Sequence, residues 1–196
     1  MLPDELFHDP PPEYVPEPAV ELASGKYLRL MRRGKWEYVE RTKPVGAAFI
    51  GAVTPEGCLL VTEEYRVAVQ AWVIGCPAGL VGDIDEFASE ELFEAVSREL
   101  QEEAGYRPES VRLLTRGPTS PGQITEVIAT VLAEGLRRVG KGGGIDGEQI
   151  RIQEVPLRDI DRWLLEKEAE GRLIDPKVYT VLYFVRMRDE ATRGFD

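Results

Sequence analysis

Hydrophobic and polar positions follow two different periods along this chain. Short apolar or alternating runs at 45–53, 57–66, 125–136 and 148–157 are bounded by glycine, proline and acidic residues. Such runs predict strands, because successive side chains of a strand point to opposite faces. Segments with a helical period lie between and after these strands. The mixed order of strands and helices predicts an α+β sandwich.

The segment SEELFEAVSRELQEEAG, residues 89–105, predicts the clearest helix. Its apolar positions recur every four residues and form one buried stripe: Leu92, Val96 and Leu100. Ser89 is a suitable N-cap, and Gly105 suits the left-handed position that follows a helix. Periodic segments at 158–170 and 176–188 predict two further helices near the end of the chain.

Proline and glycine divide the chain into an arm and two folded parts. Residues 1–20, with PPPEYVPEP at their centre, predict an extended arm. Residues 21–44 predict a small β-hairpin subdomain with a turn at Arg33-Gly34, and residues 45–196 predict the larger domain. Within the larger domain, Pro77-Ala78-Gly79 predicts a turn, and GKGGGIDG at 140–147 predicts a mobile surface loop.

The amino-acid composition excludes several classes of function, although it says little about the fold. The net charge of −11 and the pI near 4.8 provide no basic field for a polyanion, which excludes nucleic acid as a partner. A small phosphorylated substrate remains compatible, because a divalent cation reverses the local charge. Cys58 and Cys76 have neither metal-site spacing nor the number needed for a disulfide framework. The sequence shows no N-terminal basic region followed by an apolar run and no apolar run of membrane-spanning length, so we expect a cytoplasmic protein that does not bind membranes.

Three carboxylates cluster at the end of the predicted central helix. Glu99, Glu102 and Glu103 are three and four positions apart, so they project from one helical surface, and Arg98 can pair with Glu94 or Glu102. Clustered carboxylates suit Mg²⁺ or Mn²⁺, which neutralise phosphate oxygens and activate water. The alternative is a solvated acidic face, since like-charge neighbours cost only about 0.2–0.5 kcal/mol per pair.

The sequence around these glutamates resembles the Nudix box, G-x5-E-x7-R-E-U-x-E-E-x-G-U, where U is an aliphatic or aromatic residue. Glu90 and the run from Arg98 to Tyr106, RELQEEAGY, match its fixed positions. The resemblance implies an α/β/α sandwich with a mixed sheet, and a strand–loop–helix motif whose glutamates bind Mg²⁺ in hydrolases of nucleoside diphosphates. The chain departs from the pattern at the first glycine, because Ile84 occupies that position and the preceding loop is longer, with Gly79 in the Pro-Ala-Gly segment.

Several positions outside the box are similar to the ADP-ribose pyrophosphatase branch of this family. The resemblance implies that the backbone carbonyl of Ala78 joins the metal ligands and that Arg66 reaches the diphosphate. Arg66 taken alone is equally an exposed charge at a strand end. Pro121 stands where this branch carries a proline, and Glu126 belongs with it among the candidate substrate-binding residues.

The N-terminal hairpin is similar to the strands that surround the base in this branch and exchange between subunits. The resemblance implies that Trp36 and Tyr27 stack on adenine, because an aromatic ring holds a purine by its flat face. The alternative for both is an ordinary cross-strand pair within the hairpin. The same resemblance, together with the amphipathic pattern of the hairpin, predicts a homodimer.

The glycine-rich segment resembles the loop that brings a late carboxylate to the metals. Glu148 is then the candidate base or additional metal ligand, and Asp146 is its competitor on the same loop. Glu102 and Arg98 complete the predicted catalytic set. A loop that delivers a base after substrate binds can also exclude water as it closes.

The resemblance therefore implies a Mg²⁺-dependent hydrolase of ADP-ribose that releases AMP and ribose 5-phosphate. Other substrates in the same class are GDP-mannose and UDP-sugars. The alternative from a different class is a Nudix-fold module that binds a nucleotide without hydrolysing it. The complete set of box carboxylates favours the enzyme.

Overall fold

The computed structural model describes residues 17–43, 46–81, 90–144 and 150–193. The strands are β1 (Val20–Ser24), β2 (Leu28–Arg33), β3 (Trp36–Arg41), β4 (Gly46–Ala52), β5 (Cys58–Arg66), β6 (Ala71–Gly75), β7 (Ala78–Val81), β8 (Tyr106–Arg107), β9 (Ser110–Pro118), β10 (Val127–Glu134), β11 (Arg137–Arg138), β12 (Arg151–Pro156) and β13 (Leu173–Ile174). The helices are α1 (Glu90–Glu99), α2 (Ile160–Ala169) and α3 (Pro176–Arg193).

Two four-stranded mixed sheets form the centre of the larger domain. One has the order β7-β4-β10-β9, with β4 and β10 parallel and the outer strands antiparallel to them. The other has the order β12-β5-β6-β13, with β13 parallel to β6 and the remaining pairs antiparallel. The predicted α+β fold with a mixed sheet is confirmed.

Two apolar clusters lie on opposite sides of these sheets. One packs α1 against β4 and β10, and it includes the predicted stripe of Leu92, Val96 and Leu100, which are 7%, 0% and 0% exposed. The other packs α2 and α3 against the opposite faces, around Ile160 and Val181. Helices on both sides of the sheets give the sandwich that the sequence predicts. Among the described residues, no helix is long and apolar enough to cross a membrane.

The helix that carries the clustered carboxylates changes type before it ends. The α-helical part stops at Glu99, and Leu100–Ala104 form one π-helical turn. Gly105 then adopts the left-handed conformation at φ 75°, as predicted for the position after the helix. The predicted helix is therefore present, and its last turn has a π-helical hydrogen-bond pattern that the sequence pattern does not specify. Wider turns of this kind occur often at functional sites, since they redirect the side chains that follow. Ser89, the predicted N-cap, lies outside the described residues.

The predicted turn at Pro77-Ala78-Gly79 is wrong. Ala78 and Gly79 begin strand β7 and pair with Phe49 and Ala48 of β4. The carbonyl of Pro77 also accepts a hydrogen bond from the Ile50 amide at 2.8 Å. An available sheet edge satisfies the backbone of this segment, so its turn-forming residues do not produce a turn. The result places β7 directly beside α1.

The predicted N-terminal hairpin is present as β2 and β3, which are closed by the pair Arg33 and Trp36. A third strand, β1, pairs with β2. The sequence does not predict this strand, because it directly follows the proline-rich segment that predicts an extended arm. The sheet docks on the larger domain through β3: the Val39 amide donates to the Gln123 carbonyl at 2.7 Å, and the Thr125 amide donates to the Val39 carbonyl at 3.1 Å. Residues 1–16 of the predicted arm lie outside the described part.

Candidate active site

Strand β7 provides a backbone surface against which two of the box glutamates lie. The amide of Ala78 donates to Oε2 of Glu103 at 3.2 Å. At Gly79, an added Cβ would overlap the carboxyl group of Glu99, so only glycine leaves room for that side chain. Because Ala78 and Gly79 form part of β7 rather than a turn, Glu99 and Glu103 both lie against this one strand.

Arg98 connects Glu102 to the group formed by Glu99, Glu103 and strand β7. Its Nη2 lies 2.9 Å from Oε1 of Glu99, and its Nη1 lies 3.9 Å from Oε2 of Glu102. Nη2 also lies 3.4 Å from the Leu80 carbonyl, which it donates to at the edge of β7. The predicted pairing with Glu102 is present, but the shorter contact is with the adjacent Glu99. One guanidinium thus connects two carboxylates to the strand.

The donor chemistry of this cluster fits a hard divalent cation. Its side-chain donors are carboxylate oxygens, and Glu99 and Glu102 are 13% and 29% exposed, so water and a hydrated ion can reach them. Over the described ranges, no three Asp, Glu, His or Cys side chains are close enough to enclose a metal by themselves. Glu99, Glu102 and Glu103 would therefore hold a cation together with other oxygens. The metal-binding role of the Ala78 carbonyl stays a prediction.

Arg66 ends strand β5 on the side of the sheet that faces α1. Side chains alternate along β5, so Arg66 shares a face with Leu60, which is buried in the α1 cluster. Its guanidinium is 58% exposed and lies 2.9 Å from the carboxylate of Glu64. An exposed cation on this side can contact an anionic ligand after releasing a local ion pair.

A pocket of about 680 Å³ lies between the N-terminal sheet and the loop before β10. Trp36 and Pro121 both line it, together with Arg33, Tyr38 and Ile124 among others. Tyr27 is not among its lining residues; its ring is 67% exposed, with the Lys26 ammonium 4.8 Å from the ring centroid. The structure therefore brings Trp36, but not Tyr27, together with Pro121 at this pocket.

Glu126 joins the two parts of the molecule. Its Oε1 accepts a hydrogen bond from Nε of Arg41 at 2.8 Å and lies 2.6 Å from Nη2 of the same residue. Arg41 ends β3, and Glu126 immediately precedes β10. The carboxylate predicted to bind substrate is thus engaged in a two-nitrogen contact that fixes the N-terminal sheet beside the pocket.

Glu63 forms a second carboxylate cluster that the sequence did not indicate. It is buried on the α2 and α3 side of its sheet, and Nε of Arg172 lies 2.5 Å from it. Arg151 Nη1 and Gln153 Nε2 lie 3.7 and 3.4 Å away. The Arg151 guanidinium stacks 4.2 Å from the Trp72 ring centroid. The available sequence signal was an acidic residue directly after an apolar strand, without any sign of its distant partners.

The end of the carboxylate helix contacts a third polar group. The hydroxyl of Tyr106 donates to Glu154 at 2.8 Å, and Arg138 lies 3.0 Å from the same oxygen. Burial, followed by the hydrogen bond to Glu154, raises the pKa of Tyr106 above its ordinary value. This contact ties β8 and β11 to β12.

The predicted bases Glu148 and Asp146 lie outside the described residues. The chain on either side of them is described: the Gly144 amide donates to the Glu102 carbonyl at 3.1 Å, and the Ile150 amide donates to the Gly143 carbonyl at 3.4 Å. Both ends of the segment 145–149 are therefore attached beside the helix that carries Glu102 and Glu103. The predicted roles of Glu148 and Asp146 stay predictions.

Comparisons with known proteins agree with this fold and motif. The NUDIX domain family matches residues 42–182. The chain is 27% identical over 176 residues to an ADP-ribose pyrophosphatase of Bacillus subtilis, covering 86% of this chain and 90% of the relative. It is 30% identical over 150 residues to a GDP-mannose pyrophosphatase of Cronobacter sakazakii, covering 73% and 74% of the two chains. A methanol dehydrogenase activator of Bacillus methanolicus is 25% identical over 176 residues, covering 86% and 90%.

The fold is shared with a solved ADP compounds hydrolase at a TM-score of 0.66 and 19% identity, covering 88% of this chain and 92% of that chain. The family match spans most of the larger domain and includes every described element of the carboxylate cluster. This chain belongs to the NUDIX family, as its box residues predict.

Proposed function

We propose that this NUDIX chain hydrolyses the diphosphate of ADP-ribose to AMP and ribose 5-phosphate, with Mg²⁺ as its metal and Mn²⁺ as a substitute. The observation that carries the proposal is the gathering of Glu99, Glu102 and Glu103 at one helix end beside β7. Neighbouring like charges on a helix repel weakly, and a cation bound between these carboxylates would remove that repulsion. The relationship to an ADP-ribose pyrophosphatase over 86% of the chain supports the same reaction.

In this proposal, different residues of the chain bind the metal and position its ligands. Glu99, Glu102 and Glu103 would hold the metal, and Arg98 holds Glu99 and Glu102 in position. A bound divalent cation supplies charge neutralisation at the diphosphate and lowers the pKa of water.

Residues of the glycine-rich loop and of strand β5 then carry out proton transfer and charge stabilisation. Glu148, or Asp146 in its place, accepts a proton from the attacking water, whose oxygen adds to one phosphorus. The bond from that phosphorus to the bridging oxygen breaks, and the second phosphate leaves with the electron pair. Arg66 stabilises the charge that develops on the diphosphate.

The pocket beneath Trp36 is the proposed site of the base. Its apolar lining of Trp36 and Pro121 suits the flat face of a purine, and base–aromatic stacking is worth about 1–3 kcal/mol. Glu126 supports this site through Arg41 rather than by exposing a free carboxylate. Tyr27 contributes only where a second subunit brings it to the base.

A homodimer is the proposed assembly. Val20, Leu28 and Leu30 of the N-terminal sheet are 47%, 45% and 37% exposed, whereas Met31 on the other face of β2 is 7% exposed. This exposed apolar face is suited to a second copy of the same sheet. Sedimentation of the wild-type protein should give a dimer mass, and Leu28→Glu should shift the mass toward a monomer. A monomeric wild type at micromolar concentration would contradict the dimer.

A related nucleotide sugar is the second candidate substrate. The relationship to a GDP-mannose pyrophosphatase at 30% identity favours GDP-mannose among these, and UDP-sugars share the same diphosphate chemistry. The box glutamates act on the diphosphate, so they do not distinguish these substrates. The pocket that contains Trp36 decides between them.

The proposal is tested by a turnover screen with ADP-ribose, GDP-mannose, UDP-glucose, NADH, FAD and dinucleoside polyphosphates. We expect turnover of ADP-ribose with Mg²⁺ and none with EDTA. Glu102→Gln is the variant without the metal ligand, and Glu94→Gln on the same helix is its exposed control. Preference for GDP-mannose would select the second candidate. Binding of ADP-ribose without turnover of any substrate would instead identify a nucleotide-sensing module.

A further inference from the structure

The carbonyl groups at the end of the carboxylate helix are satisfied by a distant segment of the chain. The last carbonyls of any helix lack partners within the helix. Here Gly143 donates to the Glu103 carbonyl at 2.7 Å, and Gly144 donates to the Glu102 carbonyl at 3.1 Å. Val139 and Gly140 donate to the Gly105 carbonyl at 2.8 and 3.0 Å. The segment 139–144 therefore lies directly on the back of the π-helical turn.

Gly142 makes this close contact sterically feasible. Its φ is +67°, and an added Cβ would overlap the Glu103 carbonyl and the backbone of Ala104. The contact is reciprocal, because a Cβ on Gly105 would overlap Gly140 and come within 2.9 Å of the Gly142 nitrogen. Two backbones touch here without any side chain between them.

The glycines in this segment differ in what they require. Gly140 has no left-handed φ, and the nearest atom to its added Cβ is 3.9 Å away. Gly143 has a φ of +114° but open space around the added Cβ. A general need for a loose loop would not produce these differences. Gly142 alone of the three combines a left-handed backbone with direct contact against the helix.

We propose that Gly142 is a positioning residue for the carboxylates of Glu102 and Glu103, an inference that rests on the function proposed above. The same two residues face the proposed metal with their side chains and hold segment 139–144 with their carbonyls. Docking of this segment fixes the π-helical turn from behind. A displaced segment leaves the turn without its hydrogen-bond donors, and the two carboxylates then no longer hold one geometry.

The test compares Gly142→Ala with Gly140→Ala, which adds the same methyl group two residues earlier in open space. We expect Gly142→Ala to speed exchange of the Gly143 and Gly144 amides about tenfold or more, because their hydrogen bonds open locally. Calorimetry with Mn²⁺ and no substrate should show about tenfold weaker binding, the size typical of lost support behind a metal ligand. Turnover of ADP-ribose should show kcat lowered about 10–100-fold with little change in KM. Gly140→Ala should match wild type in all three measurements.

Equal Mn²⁺ affinity and kcat in Gly142→Ala and wild type would overturn the positioning role. If Gly142→Ala does not fold, Gly143→Ala strains the same docked backbone without placing a methyl against the helix, and the same expectations and the same overturning result apply to it. A wild type that neither binds Mn²⁺ nor turns over any nucleotide diphosphate would overturn the proposed function, and the positioning role with it. Weaker Mn²⁺ binding in Gly142→Ala supports the positioning role even when the preferred substrate is not ADP-ribose.

Discussion

Two of the carboxylate–arginine clusters in the described part of the chain lie on opposite sides of the sheets, and they differ in how charge is balanced. Glu63 is a single buried carboxylate with Arg172 at 2.5 Å, Arg151 at 3.7 Å and an amide of Gln153 nearby. At the end of α1, three carboxylates gather beside Arg98, which contacts Glu99 and Glu102. In the contacts described, two arginines lie near one carboxylate in the first cluster, whereas one arginine lies near two carboxylates in the second.

This difference separates a structural ion pair from a site built to receive a cation. A buried carboxylate is tolerated when hydrogen-bonded cations surround it, and its contribution is to stability and specificity of packing. Several carboxylates at a partly exposed helix end repel one another weakly, and their oxygens can bind an added cation. Both clusters contain the same residue types, so exposure and the match to the Nudix box, rather than composition, distinguish the candidate active site.

The strongest test removes one negative charge from the helix cluster. We expect Glu102→Gln and Glu103→Gln each to lower kcat at least about 100-fold while leaving the melting temperature close to wild type, because the amide keeps the volume and loses the anionic ligand. Glu94→Gln, exposed on the same helix, should be unaffected. Turnover within a few-fold of wild type in both variants would mean that the helix cluster is only a solvated acidic face.

The matching test in the other cluster should change stability and not chemistry. Glu63→Gln leaves Arg172 without its carboxylate, and we expect a loss of about 2–3 kcal/mol in the free energy of unfolding. Glu109→Gln, in an exposed pair with Arg137, should change stability by less than about 0.5 kcal/mol. Urea unfolding measures both. If Glu63→Gln lowers kcat per folded molecule as much as Glu102→Gln does, the assignment of the Glu63 cluster to a purely structural role is wrong.

Arg98 provides an intermediate test, because it belongs to the helix cluster but carries the opposite charge. Arg98→Gln should lower kcat about tenfold through looser placement of Glu99 and Glu102, with an unchanged KM. Arg98→Lys should recover part of the loss if the charge matters, and none of it if the two-nitrogen geometry matters. An effect on stability without an effect on kcat would assign Arg98 to the structural class represented by Arg172.

The smallest expected effect concerns Tyr106, whose hydroxyl donates to Glu154. Its pKa is raised in the folded protein by burial and by Glu154, so folding favours the protonated phenol. The associated stability is complete below the unfolded value of about 10 and is lost as the pH rises through the higher folded pKa. Tyr106→Phe should therefore lose less stability than wild type between pH 9.5 and 11, as measured by urea unfolding. Parallel pH profiles would show that this carboxylate contact has no influence on the titration.

Local patterns were sufficient for the helices, the central strands and the glutamate motif. The stripe of Leu92, Val96 and Leu100 is periodic in the sequence, and its burial follows from that period. Contacts between distant residues were not accessible in this way. Glu63 and Arg172 are 109 positions apart, and nothing local to either residue indicates the other.

Competition for hydrogen bonds explains the error at β7. Pro77, Ala78 and Gly79 have turn propensity, but the exposed edge of β4 offers their backbone better partners. The glycines near position 142 were expected to give mobility. Their described part instead permits close contact with the helix, which depends on carbonyl groups that a sequence pattern does not reveal.

The attachment of the N-terminal sheet has a consequence for how specificity can change. Trp36 and Arg33 belong to a sheet that joins the larger domain through β3 and the Arg41–Glu126 contact, while the clustered glutamates lie at the end of α1 and in the π-helical turn that follows it. On the proposed function, the residues that recognise the base therefore come from the N-terminal sheet and from the loop before β10, whereas the metal-binding glutamates come from the helix. Replacing residues 20–43 together with residues 118–127 by the corresponding stretches of another NUDIX chain would exchange the nucleotide preference, provided that the contacts of Arg41 and Val39 are kept.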